Sequence, residues 1–157
     1  MYKVGQQFFT DAFIAMMTDI IKWRNEKEFD WPSPDGNEKA MTVEFPTNSP
    51  RTAIIRYYYP TNQIYWSCEY KKGLRNGECR CYKENGRYYY WSHFKNDKLH
   101  GKSFRWRDWV DGPLESEENF VNGSRHGICV YYKSIYQKDI DEYDSGKLIK
   151  SRTIWSY

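Results

Sequence analysis

Apolar and polar residues alternate with two different periods along this chain. Between residues 6 and 26, Phe9, Phe13, Met16, Ile20 and Trp23 recur at spacings of three and four; Phe8, Ala12, Met17 and Ile21 widen the stripe, and Asp19, Lys22 and Arg24 leave a polar side. That period predicts an amphipathic helix with an apolar face that needs a cover. Trp31-Pro-Ser-Pro-Asp-Gly36 stops it, because proline cannot continue a helix and Asp-Gly favours a turn. A loop is expected over 31–40. From about residue 41 the period drops to two, and strands are expected at 41–45, 53–59, 64–70, 78–83, 87–94, 102–107, 114–120, 128–133, 138–143 and 148–155. The turn signals between them, such as Asn85-Gly86, Asn122-Gly123 and Ser145-Gly146, are too short for crossovers, so the strands run antiparallel as consecutive hairpins.

The hairpins repeat. Tyr70-Lys-Lys-Gly73-Leu-Arg-Asn-Gly77 returns as Phe94-Lys-Asn-Asp97-Lys-Leu-His-Gly101 and as Phe120-Val-Asn-Gly123-Ser-Arg-His-Gly127, with a truncated copy at Tyr143-Asp-Ser-Gly146-Lys. Self-similarity at this period indicates a repeat architecture, a class that offers surfaces for binding rather than pockets for chemistry. The stretch from Ala53 to Tyr70 aligns with Gly77 to Phe94 and places Asn62 on Gly86, a degenerate first repeat over about 45–69. Repeats at 70–93, 94–119 and 120–142 and a partial one at 143–157 follow. The glycines of each hairpin loop supply φ > 0, and Asp97 tolerates that conformation. Tyr82, Trp106 and Tyr132 each stand five residues after the second glycine and are expected to form a row on one face.

Thirty aromatic residues (15 Tyr, 8 Phe and 7 Trp) suit a thin sheet of half-buried side chains. The net charge of +3 is concentrated: residues 70–107 carry eleven Lys or Arg against three Asp or Glu. This zone is either a solvated face or a site for an anionic partner, with Lys71, Lys72, Arg75, Lys95, Lys98, Lys102, Arg105 and Arg107 as the candidates. The acidic balance of both flanks argues against nucleic acid. Asp108, Asp111, Glu115, Glu117 and Glu118 are read as a solvated edge. No run approaches a membrane span and no leader is evident, so a cytoplasmic chain without a transmembrane segment is expected.

Chemistry-bearing constellations are missing from the sequence. Cys79 and Cys129 share a repeat slot with Ser103, and Cys68 aligns with Ser92, so all four cysteines are expected as unpaired packing residues without metal. His100 and His126 occupy the slot of Asn76. No nucleophile–base set or phosphate-cradling loop appears, so no enzyme activity and no cofactor are expected.

The spacing aromatic, two residues, Gly, three residues, Gly, one residue, small residue is carried by Tyr70/Gly73/Gly77/Cys79, Phe94/Asp97/Gly101/Ser103 and Phe120/Gly123/Gly127/Cys129. It resembles the MORN repeat family, in its degenerate variant seen in bacterial antitoxin-like proteins and large DNA viruses. The resemblance covers about residues 53–150. It implies an elongated, twisted, single-layer sheet acting as a scaffold, with homodimers and lipid binding among the properties attached to the family; a viral member would sit in the host-cell cytoplasm. The fold class expected is therefore mainly β: a single-layer antiparallel β-meander of MORN-like hairpins over 41–157, preceded by an N-terminal helix and loop over 1–40. The helix is expected to cap the sheet in preference to pairing with its twin.

The function expected is protein–protein interaction, with Tyr88, Tyr90, Trp106 and Trp109 the first residues to test, since aromatics dominate binding hot spots. The alternative is peripheral attachment to anionic lipid through the basic zone 71–107.

Overall fold

The computed structural model describes residues 28–32, 39–46, 51–109 and 112–156. They form one antiparallel sheet of β1 (Glu28–Pro32), β2 (Lys39–Glu44), β3 (Thr52–Tyr58), β4 (Ile64–Lys71), β5 (Leu74–Tyr82), β6 (Tyr88–Lys95), β7 (Lys98–Trp106), β8 (Leu114–Val121), β9 (Ser124–Arg125), β10 (Gly127–Tyr132), β11 (Gln137–Asp144) and β12 (Lys147–Trp155). β9 and β10 are one strand interrupted at His126, so each strand pairs with its chain neighbour from one end of the sheet to the other. This is the meander the alternation predicts. No helix occurs among the described residues, and the helix expected at 6–26 lies outside them. The sheet begins earlier than residue 41. β1 and the start of β2 occupy part of the stretch expected as a loop, and β1 closes at Pro32 with a register shift, as a residue without an N–H permits at an edge.

The tight turns explain one half of the repeat. Lys72-Gly73, Asn96-Asp97, Asn122-Gly123 and Ser145-Gly146 each connect two strands, and both residues of every pair have φ between 49° and 91°. Two-residue turns with φ > 0 at both positions match the twist of the flanking strands. Asp97 sits in this region at φ 63° and also grips the neighbouring hairpin, its Oδ1 accepting from the Arg75 backbone N–H at 2.9 Å and from Nε at 3.1 Å.

The second glycine is not in the loop. Because two residues close each turn, Gly77 and Gly101 fall inside β5 and β7, and Gly127 opens β10. Cys68 pairs with Cys79 and Tyr70 with Arg75, so β5 spends four residues where β4 spends two. The surplus is a bulge at Asn76-Gly77, repeated at His100-Gly101. Each of these glycines lies opposite the aromatic that starts the next copy: Gly77 opposite Phe94, Gly101 opposite Phe120, Gly127 opposite Tyr143. Ala53 opposite Tyr70 is the same arrangement in the degenerate first repeat. Asn62 (φ 63°) and Gly86 (φ 79°) take equivalent positions at the other rim, as their alignment predicts.

One row of side chains crosses the whole sheet. In register it runs Val43, Ile55, Cys68, Cys79, Ser92, Ser103, Glu118, with Asp141 and Ser151 at the far end beside Cys129. Val43, Ile55, Cys68, Cys79, Ser92, Ser103 and Cys129 are all buried. These side chains are short, and the rows on either side hold Tyr57, Trp66 and Tyr90 or Tyr70, Phe94 and Phe120, which stand above them. Among the described residues the apolar core is confined to one end, where Met41, Val43, Ala53 and Ile55 pack with Phe45, Tyr57, Trp66 and Tyr70. In this row the expectation of four free thiols fails. Cys68 and Cys79 face each other across β4 and β5, Cα to Cα 4.0 Å, and are joined as a disulfide, leaving Cys81 and Cys129 free. In the next hairpin the same two slots hold Ser92 and Ser103, whose hydroxyls meet at 2.6 Å. The small slots of one hairpin are cross-strand partners, so two cysteines placed in them meet.

Candidate functional site

The opposite face carries an aromatic ladder. Tyr82, Tyr88, Trp91, Phe104 and Trp106 come from β5, β6 and β7 and lie side by side. Ring centroids are 5.2 Å apart for Tyr82–Tyr88, 5.5 Å for Tyr88–Trp106 and 5.1 Å for Trp91–Phe104, with Phe104–Trp106 at 6.2 Å closing the set. The Arg80 guanidinium stands 6.0 Å from the Trp91 centroid and pairs with Glu78, and His93 Nε2 lies 3.4 Å from the same carboxylate. Tyr88 is 39% exposed and the other four rings are half-buried. The indole N–H of Trp91 is buried without an acceptor.

The expected row of Tyr82, Trp106 and Tyr132 is realised in part. Tyr88 bridges Tyr82 to Trp106. Tyr132 lies on the same face, where its hydroxyl donates to Glu117 at 2.6 Å. That bond, with burial second, pushes the Tyr132 phenol up to about 12. Glu117 and Glu118 are accordingly not a solvated edge. Glu118, with its side chain 15% exposed, accepts from Arg125 Nε at 2.6 Å on the other face.

The four interaction candidates separate. Tyr88 and Trp106 share the ladder. Tyr90 is on the opposite face, in register with Cys81 and Arg105. Trp109 lies past the end of β7, 58% exposed, with the Arg107 guanidinium 5.3 Å from its ring. Trp91 and Phe104 were not singled out from the sequence, though a signal exists: each adjoins a small slot (Ser92, Ser103), and those slots pair across the hairpin.

The basic candidates separate as well. Lys71, Lys72, Lys95 and Lys98 are exposed at two neighbouring tight turns on one rim. Arg75 is engaged by Asp97 and lies 4.3 Å over the Phe94 ring. Lys102 and Arg105 point to opposite faces of β7. Arg107 belongs to the other rim, donating to the Tyr132 carbonyl at 2.6 Å.

The loop slot of Asn76, His100 and His126 also finds a use. His100 Nδ1 accepts from the Asn122 N–H at 3.4 Å and His126 Nδ1 from the Ser145 N–H at 3.4 Å, while Asn76 Nδ2 donates to Asn96 Oδ1 at 3.1 Å. Each slot residue thus touches the first residue of the following turn. Among the described residues no three His, Cys, Asp or Glu side chains are grouped to hold a metal, and no helix is long and apolar enough to cross a membrane.

No family model matches the chain, and no curated protein matches it.

Proposed function

We propose that the chain is a non-catalytic protein-interaction scaffold built from MORN-like repeats, which binds its partner through the aromatic ladder. The observation that carries this reading is the stacked set Tyr82, Tyr88, Trp91, Phe104 and Trp106 on a sheet face that no second layer covers among the described residues. Rigid aromatic area presented at low entropic cost is what protein interfaces are rich in, and the flanking Arg80 adds a second hot-spot residue type. Tyr88 and Trp106 belong to this site; Tyr90 and Trp109 do not. Photo-crosslinking from position 88 in the native source identifies the partner. Trp106→Ala should then weaken purified-partner binding by about 2 kcal/mol, ~30-fold, with the β circular-dichroism spectrum kept. Unchanged affinity in a folded variant removes the ladder from the interface.

A second reading, attachment to anionic lipid, is favoured by the gathering of Lys71, Lys72, Lys95 and Lys98 on one rim. Each cation near an acidic surface contributes about 1 kcal/mol. Flotation with phosphatidylserine vesicles at low and moderate salt tests it, and substitution of these four lysines by glutamine should abolish flotation. A cytoplasmic setting and self-association through the sheet remain part of the proposal.

A further inference from the structure

The two ends of the sheet are finished differently. β1 is short, five residues, and closes on Pro32. Shortness and proline are two ways of blunting an edge, and charged side chains, lysine above all, are a third. β12 is nine residues long, contains no proline, and among the described residues has a neighbouring strand on one flank only. Leu148 (49%), Ile149 (57%) and Trp155 (59%) are exposed along it. Its charges have one sign: Lys147, Lys150 and Arg152, with no carboxylate, and none of the three forms an ion pair with a described carboxylate.

Carboxylates are already the polar partners of this strand's hydroxyls. Its neighbour β11 is acidic, and the match is in register. Lys147 stands opposite Asp144 and Lys150 opposite Glu142. Ser151 Oγ donates to Asp141 at 2.5 Å and Thr153 Oγ1 to Asp139 at 2.7 Å. Side chains of a strand rise from the two faces and are reachable from either flank, so the open side presents the same cations.

We propose that the free edge of β12 docks an extended acidic segment of a partner protein, which adds antiparallel as one more strand. Main-chain hydrogen bonds supply the affinity and alternate carboxylates the selectivity. In the register centred on Ser151, antiparallel pairing with a second copy of β12 would set Lys150 against Arg152, and like charges opposite each other are destabilising. Cations that repel a twin while admitting an acidic strand act as a specificity device. This inference rests on reading the chain as an interaction scaffold but uses a different surface from the ladder.

The test uses the full chain and a capped synthetic peptide with the sequence of residues 137–144, QKDIDEYD. Peptide addition should slow amide hydrogen exchange within residues 147–155 and nowhere on β1. Binding should weaken with salt and fall roughly tenfold or more in Lys150→Glu/Arg152→Glu. A peptide N-methylated at alternate amides should not bind. Equal binding of the N-methylated peptide, or no new protection in β12, overturns the proposal. So does a dimer in sedimentation that protects the same amides without peptide. Exchange on the unsubstituted chain keeps the test valid if the double variant fails to fold. Loss of partner binding in Trp106→Ala, with β12 silent, retains the scaffold and rejects the edge.

Discussion

The first and last thirds of the sheet share a register but not a means of holding it. In the β2–β4 region the central row is Val43 and Ile55, within a buried apolar cluster. In the β11–β12 region the equivalent positions are Asp141 and Ser151, joined by a hydroxyl–carboxylate bond. Between them the row passes through paired cysteines and paired serines. The tight-turn geometry recurs from β4 to β12 while the chemistry of the row changes. Backbone geometry therefore specifies the fold, and side-chain chemistry distributes the stability.

The largest expected effect tests the apolar end. Ile55→Ala should destabilise by about 2–5 kcal/mol, since it opens a cavity in a well-buried apolar cluster. Asp141→Ala, in the same row, should cost about 1–2 kcal/mol, the net worth of the hydrogen bonds it accepts from Ser151 and Tyr143. Urea midpoints compare the two, and equal shifts would erase the contrast. Next comes the disulfide. Reduction of Cys68–Cys79, which closes a loop with a sequence separation of 11, should lower stability by about 2–3 kcal/mol. A midpoint indifferent to reductant, with four alkylated cysteines in the unreduced denatured chain, would return both residues to simple packing.

Gly127→Ala probes the glycine position that β5, β7 and β10 have in common. A Cβ there would meet nothing within 4 Å, yet φ is 76°. The expected loss of about 1–2 kcal/mol is backbone strain alone, and a neutral substitution would mean that the backbone at Gly127 relaxes.

Alkali separates the two modes more finely. Burial foremost pushes Tyr70 up to about 12, whereas Tyr132 reaches about 12 chiefly through its bond to Glu117. Both phenols are held protonated by the fold. Their stabilising effect is complete below the ordinary value of 10.0 and is lost as pH rises through about 12. In a tyrosinate absorbance titration Glu117→Gln should lower the Tyr132 transition and leave that of Tyr70 in place. The smallest effect is expected at Trp91→Phe. Removing an indole N–H buried without an acceptor should change stability by less than about 1 kcal/mol, offsetting the lost ring area. A large loss would show that the nitrogen has a partner.

The strands, the turn residues and the equivalence of Ala53 with Gly77 were legible because each follows from local backbone chemistry. The faces were not. Tyr88 and Tyr90 are two apart, which by alternation puts them on one face, but β5 pairs Tyr82 with Tyr88 and Cys81 with Tyr90. The extra residue, Tyr89, turns Tyr88 onto the ladder side. A bulge lengthens one strand and not its partner, so a count along the chain loses step with the ladder. The same slippage hid the meeting of Cys68 with Cys79. It also hid the sorting of the eight basic residues between two faces and two rims.

The turns are tied to one another as well as to their own strands. The Asp97 N–H donates to the Arg75 carbonyl at 3.0 Å, Gly123 to Leu99 at 2.8 Å and Gly146 to Arg125 at 2.8 Å. In each case the later hairpin supplies the donor and the earlier one the acceptor. A chain leaving the ribosome presents the apolar end of the sheet first, and each later hairpin then meets a carbonyl already in position. Assembly can proceed as a ratchet in the direction of synthesis, without waiting for the last strand to close the first.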